Sequence, residues 1–255
     1  MSVTFVSFTT ILRKEVTRFL RIWLQTLLPS VITMALYFII FGNFIGSRIQ
    51  DVHGYKYINF IAPGLIMMAV ITNSYSNVVS SFFGTKFQKN IEEILVSPTP
   101  SWVIICGYAS GGVLRGLIVG FLVSLVSMFF TKLVIFNIFI VFIYVILTAI
   151  VFSLAGLLNA IYAKKFDDIA IVPTFVLTPL TYLGGIFYPI SALPGFWQKI
   201  SLFNPILYMV TGFRYGFLGV SELNVWVGLV MLVFFAVALF IIDLTLIKKG
   251  IGLRS

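Results

Sequence analysis

At 255 residues the chain is 60% hydrophobic and only 10% charged, with a mean hydropathy of +1.10. Water-soluble domains carry about 25% charged residues, so this composition excludes a soluble fold and leaves lipid as the main solvent. The net charge of +9 lies in residues that flank apolar runs and forms no continuous basic patch, which excludes a nucleic-acid partner. One cysteine, Cys106, and one histidine, His53, exclude an intrachain disulfide and a metal cluster.

Residues 5–20 form the first predicted element, an amphipathic helix. Phe8, Leu12, Val16 and Phe19 recur at helical spacing, opposed by Lys14, Arg18 and Arg21. Such a helix lies along a membrane interface. It is not expected to be a cleavable signal, because the apolar run after Arg21 is too long and no small-residue cleavage site follows. Gaps between charges then give six candidate spans: 22–46, 58–83, 103–130, 136–162, 169–188 and 223–246. Each is long enough for a hydrocarbon core of about 30 Å, and each must be helical, because lipid offers bare backbone groups no partner.

Between the second and third spans, residues 84–102 have a helical core at about 86–96, stopped by Pro98 and Pro100. Phe87, Ile91, Ile94 and Leu95 share one face; Lys89, Glu92 and Glu93 largely occupy the other. Four apolar residues exposed outside the bilayer point to a docking helix for a cytoplasmic partner; a solvated helix between spans and a helix on the lipid surface are the alternatives. The third span carries Arg115, the one charge inside a span. It is read either as a polar point on a transport path or as a structural arginine bonded to backbone carbonyls. Gly107 and Gly111 form one small-residue stripe and Gly112, Gly116 and Gly120 another, which predicts close helix packing and an interior position.

The stretch 189–219 is apolar, but Pro189, Pro194, Gly195, Asn204 and Pro205 interrupt it, and the gap from Lys199 to Arg214 is too short to span. It predicts re-entrant helices that cap an internal path on the outer face. The fold class is therefore all-α integral membrane: six transmembrane helices, an interfacial helix, a helix at about 86–96 and outer re-entrant helices, in one domain over 1–255.

Orientation follows from the basic residues. Arg13, Lys14, Arg18, Arg21, Lys86, Lys89, Lys164, Lys165, Lys248, Lys249 and Arg254 fall on one side; they outnumber Arg48, Lys56, Lys132, Lys199 and Arg214 on the other. The positive-inside rule places both termini in the cytoplasm. The sequence lacks a phosphate loop, a Ser/His/Asp set and paired carboxylates within a span, so the chain is not expected to be an enzyme. It is expected to move something across a bilayer. A self-sufficient carrier or channel is one alternative, although no Asp or Glu lies centrally in a span; a membrane scaffold is another.

Several motifs together resemble type-2 ABC exporter permeases, most nearly the inner-membrane transport permeases of Gram-negative bacteria. They are Phe87-Gln88-Lys89-Asn90-Ile91-Glu92-Glu93, Phe166-Asp167-Asp168 with Pro173-Thr174-Phe175, Thr178 to Gly185, and Asn204-Pro205 followed by Gly212 to Gly216. The resemblance implies a bacterial inner-membrane location and a homodimer working with a separate cytoplasmic P-loop ATPase. That partner would hold ATP and magnesium, and this chain would hold no cofactor. It further implies that Phe87, Lys89, Ile91, Glu92, Glu93, Ile94 and Leu95 couple to the ATPase. The path would run between the two copies, lined mainly by the second and fifth spans; Tyr75, Asn77, Arg115, Thr178 and Tyr182 are the candidates for the path or the bundle interior. Asn204, Pro205, Tyr208 and Arg214 would belong to the outer gate. The resemblance selects no substrate.

Overall fold

The computed structural model describes residues 3–253. Arg254, counted above in the basic tail, lies outside the described residues. The described chain is almost wholly helical; its one β-type pairing is an isolated bridge between Val52 and Tyr55.

Helix α1 (Val3–Arg21) agrees with the interfacial segment, but its inward face is set one position off the predicted stripe. Ile11, Glu15 and Phe19 are the buried residues, a spacing of four that makes one helical line. Helix α2 (Trp23–Gly42) breaks near Leu27, where Pro29 restarts it, and its far end widens into π-helical turns over Phe38–Ile45. The long helix α3 (Tyr57–Phe87) sits at the centre. Its apolar window is 78% buried within the chain, against 11% for the last helix, α10 (Val225–Lys249), which leaves α10 to face lipid. Between them in sequence come α4 (Asn90–Val96), α5 (Ser101–Ser127) and α6 (Ile138–Tyr162).

Helix α3 packs along α5 and α6, α1 lies along α5, and α10 covers α6. The glycine stripes of α5 set two of these approaches. A Cβ on Gly107 would come within 2.9 Å of Ile11 Cβ, and one on Gly111 within 2.6 Å of Glu15 Cβ, so this stripe seats α1. A Cβ on Gly112 would lie 2.9 Å from the Ser74 carbonyl and one on Gly116 would strike the Ser74 side chain, so the second stripe seats α3.

The span predicted over 169–188 is shorter in the structure. Helix α7 (Asp168–Tyr182) consists of three five-residue stretches, the middle one π-helical from Pro173. At about 1.5 Å per residue it reaches about 22 Å, less than a hydrocarbon core. Pro173 and Pro179 lack the N–H groups that would carry a straight ladder. Among the described residues, five helices are long and apolar enough to cross a membrane: α2, α3, α5, α6 and α10.

The 189–219 stretch forms broken helices, as its prolines and glycine predict. Helix α8 (Gly195–Leu202) is short and mostly exposed, whereas α9 (Pro205–Leu218) is deeply buried against α3, α6 and α10. Asn137 and Asn224 cap α6 and α10 at one end of the bundle, and Asn204 caps α9, whose far end lies beside Asn137; each accepts from first-turn backbone N–H groups. The four tryptophans are all exposed: Trp197 and Trp226 near that capped end, Trp23 and Trp102 near the opposite one. That is the placement of aromatic belts at two interfaces.

Candidate functional site

Three loci carry polar side chains into an otherwise apolar bundle. The first lies at the end where both termini of the described chain meet. There Lys86 Nζ donates to the carbonyls of Ile161 at 2.7 Å and Ala163 at 2.6 Å, closing the last turn of α6 from the last turn of α3. Lys89 then adopts a left-handed conformation, φ 60°, which turns the chain sharply into α4. The helix predicted at about 86–96 is thus split, its first turn belonging to α3. Its apolar face also turns inward rather than outward. Ile91 is 1% exposed, Ile94 and Leu95 are half-buried, and Phe87 alone of the four remains exposed, against Phe83 and Phe166. Glu92, Glu93 and Val96 are what α4 presents outward, together with Lys89 at its cap. Nearby, Asp168 accepts the backbone N–H groups of Lys164 at 2.7 Å and Lys165 at 3.0 Å. Those bonds hold its carboxyl below the usual carboxylate range and leave both lysine side chains out of the turn.

The second locus ties α1 to the bundle and was not foreseen. Glu15 is fully buried; it pairs with Arg18 at 3.1 Å, accepts from Ser81 Oγ, and lies beside the Asn77 amide. Arg18 also donates to the Asn77 side chain at 2.8 Å and to its backbone carbonyl at 3.1 Å. Asn77 is therefore held by α1 within one copy of the chain. The signal was present in sequence: Glu15 stands four residues from both Ile11 and Phe19.

Higher in the bundle, Arg115 donates to the Thr26 carbonyl at 2.9 Å and to Asn73 at 3.1 Å. It braces the break in α2 against α3. Tyr75 is buried and its hydroxyl accepts from Asn159 of α6 at 2.7 Å. Thr178 and Tyr182 are instead exposed, one turn apart on α7. Arg115, Asn77 and Tyr75 thus sit at helix contacts, while Thr178 and Tyr182 stand on an open face.

The third locus is the opposite end. Arg214, 4% exposed, donates to the carbonyls of Phe60 at 3.1 Å and Gly185 at 2.6 Å, with its guanidinium 3.8 Å from the Phe60 ring centroid. It joins α9, the start of α3 and the loop after α7. Asn204 caps α9 and donates to the Leu180 carbonyl at 2.6 Å, Pro205 occupies the first turn, and Tyr208 bonds the Leu202 carbonyl at 3.0 Å. Glu222 accepts from the Ile190 N–H at 2.8 Å and from Ser191 at 3.0 Å, with His53 3.6 Å away.

Asp243, read as flanking the last span, lies inside α10. It is fully buried, and neither carboxylate oxygen has a hydrogen-bond partner among the described residues. Asp243→Asn is expected to leave detergent-extracted yield and melting temperature unchanged or higher, because the site offers a charge no compensation. A clear fall in either would reveal a partner for the carboxylate. Among the described residues, no group of three or more His, Cys, Asp or Glu could hold a metal ion.

The arrangement is that of a lipid-facing bundle tied at both ends, with a short helix projecting from one. Comparison with known proteins agrees. Residues 6–218 match the family model described as ABC-2 type transporter. Over all 255 residues, and the whole of both chains, the protein is 59% identical to the inner membrane transport permease YadH of Escherichia coli K12. It is 22% identical over 231 residues to nodulation protein J of Rhizobium leguminosarum bv. viciae, covering 89% of this chain and 88% of that one. By the extent of the family match and the full-length identity to a transport permease, the chain belongs to the ABC-2 type transporter family.

Proposed function

We propose that the chain is the transmembrane permease subunit of an ATP-driven exporter in the bacterial inner membrane, working as a homodimer with a separate cytoplasmic P-loop ATPase. The observation that carries this reading is α4, a helix outside the long spans that is rigidly seated yet turns charge outward. Ile91 anchors it in the bundle, Lys86 fixes the turn before it, and Glu92, Glu93 and Val96 are left for a partner. A load applied there passes directly into α3, the most buried helix. The Glu15–Arg18–Asn77 tie gives α1 a second grip on the same helix.

In this reading the end bearing α1 and α4 is cytoplasmic, α7 together with the stretch that follows it to residue 188 supplies the sixth crossing, and α8 with α9 forms the outer gate around Asn204, Pro205, Tyr208 and Arg214. The exposed face of α7 with Thr178 and Tyr182 is available to the second copy and to the path between them. ATP and magnesium belong to the partner, and this chain needs no cofactor.

Ile91→Asp would damage the permease itself, so the test belongs on the outward face. A Glu93→Lys/Val96→Asp double variant is expected to reduce copurification with the ATPase subunit about tenfold, with membrane insertion and melting temperature unchanged. Undiminished copurification and stimulated ATP hydrolysis would remove α4 from the coupling path. Gradient-driven transport by the chain alone in liposomes would replace the ATPase scheme with a self-sufficient carrier.

A further inference from the structure

A cavity of about 430 Å³ opens beside the root of α4 and shares Lys86, Lys89 and Glu92 with the proposed coupling region. Its walls come from the last turns of two long helices: Phe83, Lys86 and Phe87 of α3, and Tyr162 of α6 followed by Lys164. Lys89 and the buried Leu253 also belong to the lining. Three features define what would fit. The volume lies within the range of about 300–1,000 Å³ typical of small-ligand sites, whereas a protein partner buries about 800 Å² on a broad face. The lining combines aromatic and apolar side chains with three lysines. Finally, the lysines outnumber the acids around them. Lys86 is bonded to carbonyls only, and the two ion pairs among the described residues, Arg18–Glu15 and His53–Glu222, involve neither Lys89 nor Lys164. Glu92, in the lining, and Asp168, close to Lys86 and Lys164, offset two of the three positive charges and leave one in excess.

We propose that this cavity binds an anionic phospholipid from the leaflet that borders this end of the bundle. The phosphate is placed between Lys89 and Lys164, and the upper acyl chain lies against Phe83, Phe87 and Tyr162. Basic pockets at the ends of transmembrane helices recognise lipid headgroups through charge, at about 1 kcal/mol per lysine, and the apolar wall adds the chain. The location at the helix ends puts the phosphate at headgroup depth, with Tyr162 and Phe87, each more than half exposed, as interfacial aromatics. The inference does not depend on the ATPase reading, since it concerns the chain alone.

The test is lipid retention by the purified full chain in mild detergent, read by native mass spectrometry. Its arms are phosphatidylglycerol, phosphatidylcholine and inorganic phosphate. Phosphatidylglycerol is expected to be retained roughly tenfold to thirtyfold over phosphatidylcholine, the worth of two lysine charges. Lys89→Gln/Lys164→Gln should abolish that preference without lowering phosphatidylcholine adducts or melting temperature. Arg13→Gln/Lys14→Gln, which removes exposed charge from α1, should leave it intact. Equal retention of both lipids, or equal loss in both variants, overturns the site in favour of diffuse attraction. Saturation by phosphate alone overturns it in favour of a free anion. Absence of any lipid preference, with the lysine variant losing the ATPase subunit instead, assigns the cavity to the protein partner.

Discussion

Arg214→Leu is expected to lower the melting temperature sharply and to cut the yield of folded protein several-fold, read by fluorescence-detected size exclusion. Arg214 is almost fully enclosed and holds three separate pieces of chain: α9, the first turns of α3 through Phe60, and the loop at Gly185 and Ile186. The loop carbonyls lie outside regular helix, so leucine would leave them buried without a donor, at about 1–3 kcal/mol each. The stacking on Phe60 would be lost as well. Arg214→Lys keeps one donor and a charge but not the fork that reaches both segments, so its yield should fall between the two. Equal stability of the leucine variant and the parent would show that α9 is held by its apolar packing and cap alone. If Arg214→Lys folds normally but transport fails, the guanidinium has a role in the gate beyond holding it shut.

The sequence disclosed the parts of this molecule that follow from counting apolar residues and lost the parts that follow from backbone donors. Spans bounded by charges came out within a few residues, because the cost of burying Lys56, Lys132 or Lys164 in lipid is large and local. Helix α7 came out short because the same counting cannot see that Pro173 and Pro179 remove N–H groups from the ladder. The left-handed Lys89, which splits the helix predicted at about 86–96, has no signature at all in a residue that is not glycine. The glycine stripes were legible, since small residues at spacing four have few other uses in a span, and they do seat α1 and α3. For Arg115 the sequence offered a path or a brace; in the structure it donates to the Thr26 carbonyl and to Asn73. The candidate coupling face needed the structure: periodicity groups Ile91 with Phe87, but cannot tell a face turned toward a partner from one folded back onto the chain's own core.

Glu15→Lys carries the other large expectation. It should release α1 from the bundle, read as new proteolytic cleavage within residues 3–21, and, under the proposed function, uncouple ATP hydrolysis from transport in the complex with the ATPase subunit. The acid is fully buried, and its neighbours are arranged around its charge: Arg18 at 3.1 Å and Ser81 donating directly. A lysine there would face Arg18 across a site with little water, so attraction becomes repulsion between two cations, and removing one partner from a buried pair already costs about 3–5 kcal/mol. Arg18 is partly exposed, so some of that cost is relieved by its turning outward; the net effect belongs at the lower end of the range. Glu15→Gln keeps an acceptor for Ser81 and Arg18 and the side chain's fit over Gly111, so it should cost about 1 kcal/mol and leave α1 protected. The pair of variants separates charge from shape. Were Glu15→Lys to leave α1 protected, apolar contacts of Ile11 and Phe19 would suffice to hold it. Were α1 released while coupling survived, α4 would be the sole grip through which the partner acts on α3.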